Sequence, residues 1–158
     1  EQMPKEELDY FSNVRATIAG HAIFPARRID NKMTINGARG VNHKIQDRFD
    51  LTLECIRRFY KKEDSPLREV FERYADFFYL FKDFRGYVDF FLYQDLVEID
   101  YSGIKFWHPF DDFKTPPLPT SKEEYISYKD KVIVFLNGRN KRISERTTNL
   151  WVIHANQL

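Results

Sequence analysis

The chain has a single cysteine, Cys55, among its 158 residues. No intramolecular disulfide can form, and a reducing compartment is the natural setting. The four histidines, His21, His43, His108 and His154, are scattered. None pairs at i, i+4 and no second thiol joins them, so no metal is expected. No apolar run approaches the roughly 18 residues of a membrane span, and no signal peptide is expected. A cytoplasmic location and no membrane partner are the expectation. Charge of one sign is lacking too: 25 basic against 24 acidic residues leave a net of +1. That argues against a strongly basic nucleic-acid platform. Glycine and proline are sparse, and no repeat or low-complexity tract is present. The nucleophile elbow and the Ser-x-x-Lys pattern are missing. Cys55 falls on an apolar helix face with no helix N-terminus beside it, which disfavours a Cys–His nucleophile. No cofactor is expected.

What is present is apolar and aromatic. Hydrophobic residues make up 42%, with 15 Phe and 9 Tyr, more burial capacity than a disordered chain carries. At this length one domain, residues 1–158, is expected. The fold class read from the pattern is mainly α with a few short strands.

The stretch from Asn36 to Tyr60 organises the chain. Advancing about 100° per residue from Ile45, Ile45, Phe49, Thr52, Leu53, Ile56, Phe59 and Tyr60 share one face. Asp47, Asp50, Glu54, Arg57 and Arg58 fall opposite, as a solvated face. Arg48 lies inside the apolar arc. A guanidinium there must snorkel out or meet an acceptor. It is either one half of a structural ion pair or an anion contact, since its planar fork suits phosphate and carboxylate. Asn36-Gly37 and Gly40 precede the helix and read as a turn, with Asn36 and Arg39 on it. Their spacing matches neither phosphate-binding glycine fingerprint.

The remaining elements follow in order. A short helix is expected over Pro4 to Phe11. A strand or extended segment follows over Val14 to Phe24, with His21 as a satisfied core histidine. Ser65-Pro66 should start a helix reaching Phe81 along the stripe Leu67, Val70, Phe71, Tyr74, Phe77, Phe78 and Phe81. Asp83 to Val97 is apolar nearly all round and reads as a buried central helix. Gln94 and Asp95 project inward there, and Asp95 is the expected partner of an inward arginine. Ile99 to Trp107 reads as a short strand and turn, and Thr115 to Pro119 as a stiff connector. A capping box at Thr120-Ser121 with Glu123-Glu124 opens a helix running to about Ile143. Arg139 lies within its apolar side, with Asn140 at the edge. Asn149 to Ala155 reads as a terminal strand or docking segment. The pair Arg139-Asn140 is similar to the start of the active-site signature of small helical ribonucleases of toxin and defence systems. The histidine that signature needs does not follow.

These readings converge on seven residues: Asn36, Arg39, Arg48, Gln94, Asp95, Arg139 and Asn140. In an aromatic interior such groups form either a structural network or the floor of a ligand pocket. Two functions stay open. One is a binding or interaction module with structural arginine pairs and a protein partner. The other is an enzyme or binder for a phosphate-bearing ligand, a nucleotide or nucleic acid, with Arg39, Arg48 and Arg139 as anion contacts.

Over Met33 to Gly40, Asp47 to Arg58, Ser65 to Leu67, Asp83 to Phe91, Gln94 to Val97 and Pro109 to Phe113, the chain resembles a family of uncharacterised bacterial proteins. The resemblance spans Val14 to Ile143. It implies a bacterial or phage-borne cytoplasmic protein, with a further N-terminal region in family members. It brings no known activity and no catalytic residues.

Overall fold

The computed structural model describes residues 4–155. Seven α-helices occur among them: α1 Lys5–Arg15, α2 Ile35–Val41, α3 Phe49–Lys61, α4 Arg68–Arg73, α5 Ala75–Tyr79, α6 Phe84–Phe91 and α7 Lys122–Ala155. No helix among the described residues is long and apolar enough to cross a membrane. The expected short strands are not found there. One antiparallel bridge, Val97 to Ile104, closes a turn through Tyr101. A lone bridge has no second ladder to extend it, so no sheet follows.

Helix α3 is the centre. All residues from Phe49 to Ile56 are buried, including Asp50, Thr52 and Glu54. The face expected to be solvated is covered by the loop after α6. Trp107 N donates to Asp50 at 2.9 Å, and Asp112 accepts from Arg58 at 2.7 Å. Glu54 accepts from both Arg57 and Arg58. The helix begins at Phe49 rather than Ile45, because Gln46 and Asp47 are left-handed, with φ of 44° and 60°.

The apolar face of α3 meets two aromatic groups. Phe49 packs on Tyr93 and Phe135, and Trp107 joins Phe135 and Tyr128. At the other end Phe59 meets Phe71 and Phe78. The single expected helix from Pro66 to Phe81 is broken at Tyr74, whose buried ring carries a hydroxyl donating to Arg27 O at 2.8 Å.

Helix α6 stops at Phe91 instead of continuing to Val97. Leu92 turns left-handed, with φ of 60°. The carbonyls freed at a helix end need donors, and α7 supplies them. Arg139 Nε donates to Phe91 O at 3.0 Å, and Arg146 donates to Phe90 O at 3.2 Å. Guanidinium groups at a helix C-terminus also suit its dipole. Between them, Arg142 grips Asp95 in two bonds of 2.7 and 3.0 Å. Gly138 permits that approach, since a Cβ there would lie 2.9 Å from Asp95 Oδ2.

Helix α7 opens on the Ser121–Glu124 register of the capping box: Glu124 N donates to Ser121 Oγ at 3.2 Å. It runs through the position expected to end it and through the segment expected to be a strand. Thr147 and Thr148 return their hydroxyls to the carbonyls of Ile143 and Ser144. Polar side chains satisfied this way ride in a helix without breaking it.

Candidate functional site

A cleft of about 870 Å³ opens between α1, α2, the start of α3, and the first half of α7. Asn36, Arg39 and Arg48 lie along it, and Arg15, His21, Gln46 and Asp47 join them. Aromatic residues Phe11, Trp107, Tyr125 and Tyr128 add to the lining. Asp47 is the one carboxylate lining the cleft among the described residues.

Asn36 and Arg39 are not on a turn. Thr34 caps α2 by accepting from Gly37 N at 3.2 Å, so Asn36-Gly37 becomes the first helical turn. No glycine takes a positive φ. Helical spacing then sets Asn36 and Arg39 side by side. Arg39 Nη1 donates to Asn36 Oδ1 at 3.3 Å, and Nε donates to Thr52 Oγ1 at 2.8 Å. Asp47 Oδ1 lies 3.2 Å from Nη1, with 70% of its side chain exposed. Burial holds the Arg39 pKa below its ordinary value, and Asp47 offsets part of that.

Arg48 is engaged differently. Its fork meets Asp50 in a bidentate pair, with Nε to Oδ1 at 3.0 Å. Its remaining edge donates to Pro117 O. The side chains are 2% and 0% exposed. The expected partner, Asp95, is elsewhere. Asp50 lies on the face expected to be solvated, and the loop carrying Trp107 and Pro117 covers it there. The Arg48 guanidinium also lies 5.9 Å from the Tyr128 ring centre. Burial raises the Tyr128 hydroxyl to about 12, with the Asp50 charge acting in the same direction.

Arg139 meets no carboxylate among the described residues. It donates to Phe91 O, Ala19 O and His21 O, and its guanidinium stacks 4.5 Å from the Tyr93 ring centre. Burial lowers its pKa as well. Asn140 Nδ2 donates to Thr17 Oγ1 at 2.8 Å, and its Oδ1 accepts from Ala19 N at 3.3 Å. Together Arg139 and Asn140 pin the Thr17–His21 turn onto α7. Gln94 and Asp95 form a separate group: Gln94 donates to Asp89, as Tyr101 does, and Asp95 pairs with Arg142.

The seven expected residues therefore divide. Asn36, Arg39 and Arg48 share the cleft, while Gln94, Asp95, Arg139 and Asn140 are absent from its lining. Sequence reading missed Arg15 and Tyr125. It also placed His21 in the core, whereas His21 is exposed at the cleft, donating from Nδ1 to Thr17 O at 2.9 Å. Arg15 has no ion pair among the described residues and sits over Phe11. Its position one turn after Phe11, on the helix facing α7, was the available signal. Cys55 is fully buried, and burial pushes its thiol to about 12, so it offers no thiolate.

The chain matches, over residues 1–143, a family of unknown function (DUF6994), and it belongs to that family. No curated protein and no solved structure matches it.

Proposed function

For this member of a family of unknown function, we propose that the cleft binds a small phosphate-bearing ligand. The carrying observation is the pairing of Arg39 with Asp47. A buried guanidinium lining the cleft is matched, among the described residues, only by an exposed, displaceable carboxylate and by the neutral acceptors Asn36, Thr52 and the Asp47 carbonyl. Arg15 adds a second positive charge, and no acid other than Asp47 lines the site among the described residues. A volume of about 870 Å³ lies within the range of small-molecule sites. Arg48 and Arg139 serve as structural donors in this reading, Arg48 forming the floor.

An interaction module is the second reading. Tyr79, Leu80 and Phe90 are 64%, 74% and 57% exposed, apolar side chains that a protein partner could cover. A cytoplasmic setting, in a bacterium or phage, completes the proposal. It is supported by the unpaired, buried Cys55, which suits a reducing compartment.

The test is a thermal-shift series on the purified chain with inorganic phosphate, pyrophosphate and ribose 5-phosphate. Wild type is run beside Arg15→Gln and Arg39→Met. A rise in Tm for wild type, reduced in both variants, supports the cleft as an anion site. No rise with any of the three at millimolar concentration removes the reading.

A further inference from the structure

Resting on the reading of the cleft as an anion site, we propose that its ligand is a mononucleotide. The phosphate takes the place of the Asp47 carboxylate on Arg39, and the base lies against the tyrosines of α7. The cleft has two chemically different walls, and a mononucleotide is the small-molecule class that answers both.

The polar wall is built around an anion already in position. Asp47 Oδ1 stands 3.2 Å from Arg39 Nη1, so the guanidinium accepts an oxyanion at that point. Asp47 is tied there by its backbone: its N donates to Arg39 O at 3.0 Å, and its carbonyl accepts from Arg39 Nη2 at 3.3 Å. The carboxylate itself is mostly in solvent, so it can leave while the backbone stays. Gln46 and Asp47 are two consecutive left-handed residues without glycine. Such conformations are unfavourable for residues other than glycine and persist where surrounding contacts impose them. Here the strain sets both side chains at the cleft.

Another part of the lining is aromatic. Tyr125 and Tyr128 are half-buried and lie one turn apart on α7. Phe11 meets Tyr125 edge-on at 6.5 Å, and Trp107 meets Tyr128 edge-on at 5.9 Å, so each tyrosine is held by a neighbouring ring. The walls are joined through one short chain of bonds. The Thr52 hydroxyl accepts from Arg39 and donates to Arg48 O, and the Arg48 guanidinium lies on Tyr128. Inorganic phosphate would leave most of the cleft to water. A phosphosugar would leave the aromatic wall without an apolar partner. A polynucleotide needs many phosphate contacts and a basic surface, which a net charge of +1 does not provide.

Isothermal titration calorimetry on the whole chain tests this with AMP, GMP, CMP, UMP, adenosine, ribose 5-phosphate and a short single-stranded oligonucleotide. At least one mononucleotide should bind about tenfold or more tighter than ribose 5-phosphate, the scale of one base–aromatic stack. Tyr125→Leu should remove that advantage of the mononucleotide over ribose 5-phosphate. If ribose 5-phosphate binds as tightly as every mononucleotide, the base contact is wrong and the anion site survives. If adenosine binds as tightly as AMP, the phosphate contact is wrong. If nothing binds, both readings fall. An oligonucleotide binding tighter than any mononucleotide, with a steep salt dependence, replaces the proposal with a nucleic-acid site. The wild-type comparison needs no variant to fold.

Discussion

Arg48 meets Asp50, which is fully buried, while Arg39 meets Asp47, whose side chain is 70% exposed. The two arginines enter the same cleft and flank the same helix start. Asp50 belongs to the first turn of α3, where a carboxylate also suits the helix dipole, and Trp107 N adds a second donor. Removing either partner of such a pair leaves a buried charge alone. Asp47 can swing into water at little cost, because exposed carboxylates gain little from a partner. A buried arginine by itself therefore says little about function. The exposure of its carboxylate separates a structural arginine from one free to exchange an anion.

The largest effect expected is at Asp50. Asp50→Asn should destabilise the fold by about 3–5 kcal/mol, as broken buried pairs do, read by urea denaturation. Replacing both partners, Arg48→Met with Asp50→Leu, should recover much of that loss. A double variant no more stable than Asp50→Asn would break the contrast with Asp47. Arg139→Lys comes next. A lysine ammonium lacks the planar fork that reaches three carbonyls at once, so the cost should be about 2–3 kcal/mol, with two of those buried acceptors left unpaired. Asp47→Asn should change stability by less than about 1 kcal/mol.

The smallest effect sharpens the picture on the far side of α7. Arg142 holds the Asp95 carboxyl below its ordinary value of 3.8. A depressed carboxylate contributes stability that is present above the unfolded pKa and lost as pH falls through the folded one. The pair is part-exposed, so the contribution is under about 1 kcal/mol. Arg142→Met should flatten the acid limb of a stability–pH profile below about pH 4. An unchanged limb would show that the Asp95 pair adds nothing.

Much of this was legible in the chain. The aromatic stripes and the inward position of Arg139 follow from helical periodicity, and the start of α7 follows from its capping residues; Arg48 is inward too, but as the extended residue that precedes α3. The partners were not legible. Asp50 looked solvated because the covering loop from Trp107 to Pro117 carries no periodic signal. Arg139 looked as though it needed a carboxylate, and backbone carbonyls at the end of α6 served instead. That end was itself hidden, since Leu92 and Tyr93 continue an apolar pattern across a left-handed residue. Asn36-Gly37 has turn chemistry, yet Thr34 captured it as a helix start. The cleft was only half visible: Asn36, Arg39 and Arg48 come from one stretch, while Arg15, Tyr125 and Tyr128 come from helices far away in sequence.

The most direct test of the central contrast is a calorimetric titration of ribose 5-phosphate into wild type, Asp47→Asn and Arg39→Met. Deleting the competing charge at Asp47 should tighten binding about two- to fivefold, the worth of one exposed ion pair, and Arg39→Met should abolish it. Equal affinity in wild type and Asp47→Asn, or binding that survives Arg39→Met in a folded protein, would contradict the assignment of Arg39 as the exchangeable anion site.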